Sequence, residues 1–173
     1  MKHRIFFMRN YKKIFFISFF LAVSFFSDAQ TPLSSAMLKP MRGAVAAFSS
    51  FTQKDSLILI CFWSVNSDET INELNAISAH YDNWKETVKF KLMAVSIDEG
   101  KIANRVRPTA IQNGWTFNVF IDINGDLRKA LNSSNLPQSF IIKNGKVVYQ
   151  QSGYDAGTEN YLFQKIAQFA SSK

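Results

Sequence analysis

The stretch Phe62-Trp63-Ser64-Val65-Asn66-Ser67-Asp68-Glu69-Thr70 lies where two hydrophobic patterns meet. Ahead of it, Ser56 to Trp63 carries an unbroken apolar run, the mark of a strand buried on both faces. Behind it, Ile71, Leu74, Ile77, Tyr81 and Trp84 recur at steps of three or four and so share one helical face. Asn66 reads as the N-cap, with Glu69 three residues on as its capping-box partner. The stretch is therefore a strand-to-helix junction, where α/β domains converge backbone N–H groups and often place chemistry.

Working outward, Phe90 to Ile97 reads as the next strand. Lys101 to Gly114 reads as a helix in which Pro108 should cost an interior hydrogen bond. Phe117 to Asp122 is a third strand, followed by a short helix from Asp126 to Leu131. Asn144-Gly145, between Gln138 to Ile142 and Lys146 to Gln151, is a two-residue type I′ hairpin signal. Thr158 to Phe169 closes the chain as a helix with Leu162, Ile166 and Phe169 inward. Residues 30–55 form a weakly patterned lead-in containing Pro32 and Pro40, with a short helix expected from Met41 to Phe51. Residues 56–173 then give an α/β domain: a mixed central sheet with helices on both faces, a closing antiparallel hairpin and a C-terminal helix.

The first 29 residues read differently. A basic start (Lys2, Arg4, Arg9, Lys12, Lys13) precedes the apolar run Ile14 to Phe26 and the small residues Ser27 and Ala29. That order suits a secretory signal cleaved after Ala29, with an uncleaved membrane anchor as the alternative and Met8 as an alternative start. The apolar run is short for a bilayer-spanning helix. The expected location is extracytoplasmic, periplasmic or secreted, with membrane contact only through an uncleaved signal. Without this segment, which holds five Lys/Arg and one Asp, 15 basic and 12 acidic groups remain, a net charge of +3. The sequence pI near 9.6 thus owes much to the leader. The remaining cations form no dense run, which argues against nucleic-acid binding.

The chain of 173 residues contains one cysteine, Cys61, so it can close no internal disulfide. Secretion would place it where disulfides form, and a redox enzyme there should carry at least a pair.

Several separated blocks together resemble one family. Phe62-Trp63 matches the start of the thioredoxin active-site segment, roughly FWAxWCxxC, with Ser67 and Thr70 standing at the two cysteine positions. Ala94-Val95-Ser96-Ile97-Asp98, Gly114-Trp115-Thr116-Phe117 and Asp122-Ile123-Asn124-Gly125 look like the middle of the TlpA/ResA-like secreted thioredoxins. Leu136-Pro137-Gln138-Ser139-Phe140-Ile141-Ile142 is similar to that family's G-x-P-T-T-F-L-I-D segment, and Asn144-Gly145-Lys146-Val147-Val148 to its closing hairpin. The resemblance implies a thioredoxin-like fold, a cis peptide at Pro137, and a substrate groove beside it. An ordinary trans turn proline is the alternative.

What the resemblance does not supply is sulfur. Thiol–disulfide exchange needs a thiolate to attack and a second thiol to resolve. Ser67 and Thr70 can do neither, and Asp68 and Glu69 between them favour the helix dipole over an adjacent thiolate. Cys61 stands in the strand where active relatives often carry a carboxylate, so that carboxylate is expected to be missing. Cys61 is the candidate reactive thiol, with inert packing the better-supported role. Trp63 is either groove-lining or core; Trp84 and Trp115 read as core. His80 lies on the polar side of the helix that begins near Ser67, roughly 20 Å along it, which precludes a Ser67–His80 triad. No metal-ligand cluster, phosphate loop or dinucleotide fingerprint appears, so neither a metal nor another cofactor is expected. The expected function is a non-catalytic binding module for a protein or an extended peptide segment. Its groove is bounded by Trp63, Asn66, Ser67, Asp68, Leu136 and Pro137. A thiol-disulfide oxidoreductase or antioxidant protein acting through Cys61 or a partner thiol is the alternative. The sequence leaves the oligomeric state open.

Overall fold

A computed structural model describes residues 32–53 and 56–172; the signal segment expected over residues 1–29 lies outside the described residues. The sheet is built around β3 (Leu57–Trp63), in which all seven residues are buried. β3 pairs in parallel with β4 (Lys91–Ser96) and antiparallel with β6 (Gln138–Lys143). With partners on both edges and layers on both faces, it has no solvated side, and this is why its sequence does not alternate. Leu57, Leu59, Cys61 and Trp63 point into one core cluster, and Ile58, Ile60 and Phe62 into the other.

α1 (Asp68–Thr87) lays Leu74, Ile77, Tyr81 and Trp84 on the first face. α4 (Thr158–Ser171) adds Leu162 and Ile166 there, with Phe169 partly buried. α2 (Val106–Gln112) contributes Val106 and Ala110 to the same layer. The opposite face is covered by Leu127 of α3 (Asp126–Ala130) and by the N-terminal residues Ala36, Leu38 and Phe48.

The seven-stranded order is β2-β1-β5-β4-β3-β6-β7, where β1 is Met37–Pro40, β2 Ala46–Ala47, β5 Asn118–Ile121 and β7 Lys146–Ser152. The mixed sheet, flanking helices, closing hairpin and C-terminal helix match the expected α/β class. At the hairpin, Asn144 and Gly145 take φ of 54° and 76°, the two positive values a type I′ turn needs.

Two local expectations change. The lead-in does not form a helix over Met41 to Phe51. Instead β1 pairs antiparallel with β5, Lys39 opposite Ile121 and Pro40 opposite Phe120, and a one-turn 3-10 helix covers Phe48–Phe51. Gly43, at φ 110°, breaks the helical path between them. Pro108 also costs less than its sequence position suggests. A 3-10 segment, Ile102–Arg105, precedes α2, so Pro108 falls in the first turn of α2, where backbone N–H groups have no intrahelical acceptor.

Candidate functional site

The junction opens at the carboxyl end of β3. Asp98, buried just past β4, accepts from Ser64 Oγ at 2.7 Å, from Val65 N at 2.9 Å and from Ser96 Oγ at 2.8 Å. One carboxylate thus ties the turn after β3 to the end of the neighbouring strand. Ser67 N donates to Ser64 O at 3.1 Å, closing that turn, and α1 begins at Asp68. The N-cap is therefore Ser67, not Asn66: Ser67 Oγ accepts from Thr70 N at 3.4 Å. Asn66 is exposed and its Oδ1 accepts from the Arg105 guanidinium at 3.2 Å. Glu69 does not close a capping box; its Oε1 accepts from Tyr154 N at 3.3 Å.

Ser67 and Thr70 come together, but as parts of a cap. Thr70 is fully buried; its Oγ1 donates to Ser67 O at 2.8 Å and accepts from Ser64 N at 3.3 Å. Ser67 is half-buried. Neither hydroxyl hydrogen-bonds to a basic side chain, so neither is activated as a nucleophile. His80 is exposed on α1 and stacks on Trp84 with ring centroids 5.9 Å apart.

The proline loop meets this junction through strand register. Gln138, the first residue of β6, pairs with Phe62, the penultimate residue of β3. Pro137 therefore arrives at the same end of the sheet as the 64–70 turn. The Leu136–Pro137 bond is cis, Pro137 is buried, and its carbonyl accepts from Gly153 N at 2.9 Å. Leu136 is half-buried and Asp68 exposed. Trp63 takes the core role rather than the groove: it has no exposed surface and packs edge-on against Trp115, with centroids 4.9 Å apart. Its Nε1 is buried without a hydrogen-bond partner. Trp115 is anchored by its own Nε1, which donates to Asn75 Oδ1 at 2.7 Å.

Beneath the junction lies a group that the sequence reading missed. Glu73, on α1, is buried among apolar residues, and its Oε1 accepts from Ser139 Oγ at 2.9 Å while Oε2 has no partner. Ser139 pairs across the sheet with Cys61. The carboxylate expected to be missing from this region is therefore supplied by the helix instead of the strand. Burial raises the Glu73 pKa from the usual 4.5 to about 7; the Ser139 hydroxyl opposes this and the Glu69 charge adds to it. The signal was present at helical spacing. Glu73 stands three residues after Thr70 and four before Ile77, so an acid interrupts the buried stripe.

Cys61 has no exposed surface. Burial pushes its thiol well above the ordinary range, the Glu73 charge pushes it further, and the Ser139 hydroxyl partly offsets both. Such a thiol holds almost no thiolate at neutral pH. Native protein should therefore react with a chromogenic disulfide reagent about a thousandfold or more slowly than the urea-unfolded chain, with opening as the limiting step. Fast labelling of native protein would instead mark an accessible, reactive thiol. Among the described residues, no three His, Cys, Asp or Glu side chains gather as a metal site.

A family model described as the AhpC/TSA family matches residues 29–150. Among solved structures, the chain is similar to an uncharacterized thioredoxin-like protein from Porphyromonas gingivalis, at 35% identity and TM-score 0.70, over 81% of this chain and 92% of that one. StoA from Bacillus subtilis matches at 20% identity and TM-score 0.62, over 77% and 98% of the two chains. Peroxiredoxin Q from Xanthomonas campestris matches at 15% identity and TM-score 0.68, over 80% and 94%. These last two share the fold. No curated protein matches the sequence.

Proposed function

Because the chain belongs to the AhpC/TSA family and holds a single, enclosed cysteine on a thioredoxin-like fold, we propose that it is a non-catalytic member working as a peptide- or protein-binding module. We place it on the TlpA/ResA-like side of the family, exported by the 1–29 leader to an extracytoplasmic compartment. The observation that carries the reading is the state of Ser67 and Thr70. Both hydroxyls at the cysteine positions are spent on capping α1, and neither has a base beside it.

Binding in this reading is non-covalent. An extended segment lies across the carboxyl end of β3, between the exposed Asn66 and Asp68 on one side and Leu136 on the other. Backbone pairing beside the proline loop gives affinity and the flanking side chains give selectivity. Trp63, being enclosed, makes no direct contact. The competing reading is an oxidoreductase acting through Cys61 or a partner thiol, which the burial and raised pKa of that thiol oppose.

Insulin reduction with glutathione as the electron donor separates the two. The protein should leave the glutathione-only rate unchanged, and so should its Cys61→Ser variant. Turnover by the parent that vanishes in Cys61→Ser would overturn the binding-module reading.

A further inference from the structure

On the face of the sheet opposite Cys61 and Glu73, a cavity of about 320 Å³ opens outside the carboxyl ends of the adjacent parallel strands β4 and β5. Its walls are the residues after β4, the Asp122 to Gly125 turn, α3, and the Asn132-Ser133 segment. This volume lies near the lower end of the small-molecule range.

The polar inventory is uneven. Arg128 Nε donates to Ser133 O at 3.0 Å, and one terminal nitrogen donates to Ser134 O at 3.1 Å. Lys129 Nζ donates to Asn124 O at 3.1 Å. These acceptors are neutral carbonyls. Among the described residues the one ion pair is Lys85–Asp82, so neither cation at the cavity has a carboxylate within bonding reach. Asp122 lines the same space, but its two oxygens accept from Leu127 N at 3.2 Å and Arg128 N at 2.8 Å. Ser133 also lines the cavity, but its hydroxyl is enclosed within the wall rather than open to it. The cavity thus presents two cations whose remaining N–H groups want an anionic acceptor.

Glu99, exposed at the rim, sets the other requirement. Its charge disfavours a dianion and offers an acceptor for a donor at the far end of a ligand. We propose that this cavity binds a small monocarboxylate that also carries a hydrogen-bond donor, in the class of amino or hydroxy acids. The carboxylate meets Lys129 and the free N–H groups of Arg128; the amino or hydroxyl group faces Glu99. The site is separate from the junction and independent of the function proposed for it.

The test is an amide chemical-shift titration of the isotope-labelled protein with L-serine and, separately, with acetate. Serine should produce saturable shifts at Gly125, Lys129 and Ser133 with a dissociation constant of about 1 mM or below. Lys129→Gln should weaken both probes about tenfold, and Glu99→Gln should weaken serine but not acetate. Both side chains are exposed, so both variants should keep the parent's spectrum elsewhere. The proposal is overturned by the absence of saturable shifts up to about 20 mM, by equal shifts with matched sodium chloride, or by serine affinity unchanged in Lys129→Gln.

Discussion

Cysteines introduced together as Ser67→Cys and Thr70→Cys are expected to give the protein disulfide-reductase activity. With dithiothreitol as reductant, the parent should not raise the rate of insulin reduction above background, and the double variant should raise it at least about tenfold. The two positions are already arranged for exchange. Residue 67 is half-buried at the start of α1, with Thr70 N aimed at its side chain, so a thiolate there meets a backbone donor and the positive end of a 20-residue helix. Residue 70 is enclosed directly behind it, suited to resolve a mixed disulfide by closing a ring over the intervening Asp68 and Glu69. In each cycle the substrate disulfide gains two electrons and two protons, the 67–70 dithiol becomes a disulfide, and dithiothreitol restores it. Asp68 and Glu69 oppose the thiolate, which holds the gain to a modest level. The variant also loses the Ser67 cap, about 1 kcal/mol, and the buried hydrogen bonds of Thr70, about 1 kcal/mol each. Each single variant should stay at background, since one lacks the resolving thiol and the other the attacking one. A folded double variant with no activity would show that residues 62–70 are not the family's active-site segment.

What the sequence made legible is what local pattern controls. β3 announces itself by an unbroken apolar run because both its edges and both its faces are covered. The hairpin is legible because Asn-Gly is one of the few pairs that takes two positive φ angles at little cost. β1 was not legible, since what makes Met37–Pro40 a strand is pairing with β5 some eighty residues away, and no local periodicity records that. The cap shifted by one residue for a similar reason. Asn66 is as good an N-cap as Ser67 by composition, but Asp98 holds Ser64 and Val65 from across the sheet and delays the helix. Trp63 at a strand end gave no sign of which way it faced until Trp115 was seen to close over it. Glu73 was missed because the stripe was read through Ile71, which is only partly buried, when the buried positions are Thr70, Glu73, Leu74 and Ile77.

That buried acid carries the second large effect, a loss of stability as pH rises toward neutrality. In the unfolded chain Glu73 titrates near its usual 4.5; in the native state burial holds its pKa at about 7. Below 4.5 the group is protonated in both states and contributes no pH dependence. Between 4.5 and 7 the native state binds more protons than the unfolded state, so stability must fall with rising pH. Above 7 both are ionised and the loss is complete, at about 3 kcal/mol. This is opposite in sign to a carboxylate held in a salt bridge, and among the described residues no cation pairs with Glu73 to reverse it; the Glu69 charge acts in the same direction. Glu73→Gln removes the titration while its amide oxygen can still accept from Ser139 Oγ. Urea unfolding of parent and variant from pH 4.5 to 8 should therefore give curves that diverge by about 3 kcal/mol across that window, the parent losing ground as pH rises. Curves that stay parallel would mean that Glu73 is solvated in the native state. Since Ser139 follows Pro137 by two residues and pairs with Cys61, such solvation would also open the floor of the candidate site. Parallel unfolding curves and fast native labelling of Cys61 should then be found together, whereas diverging curves should accompany a thiol that stays silent until the chain unfolds.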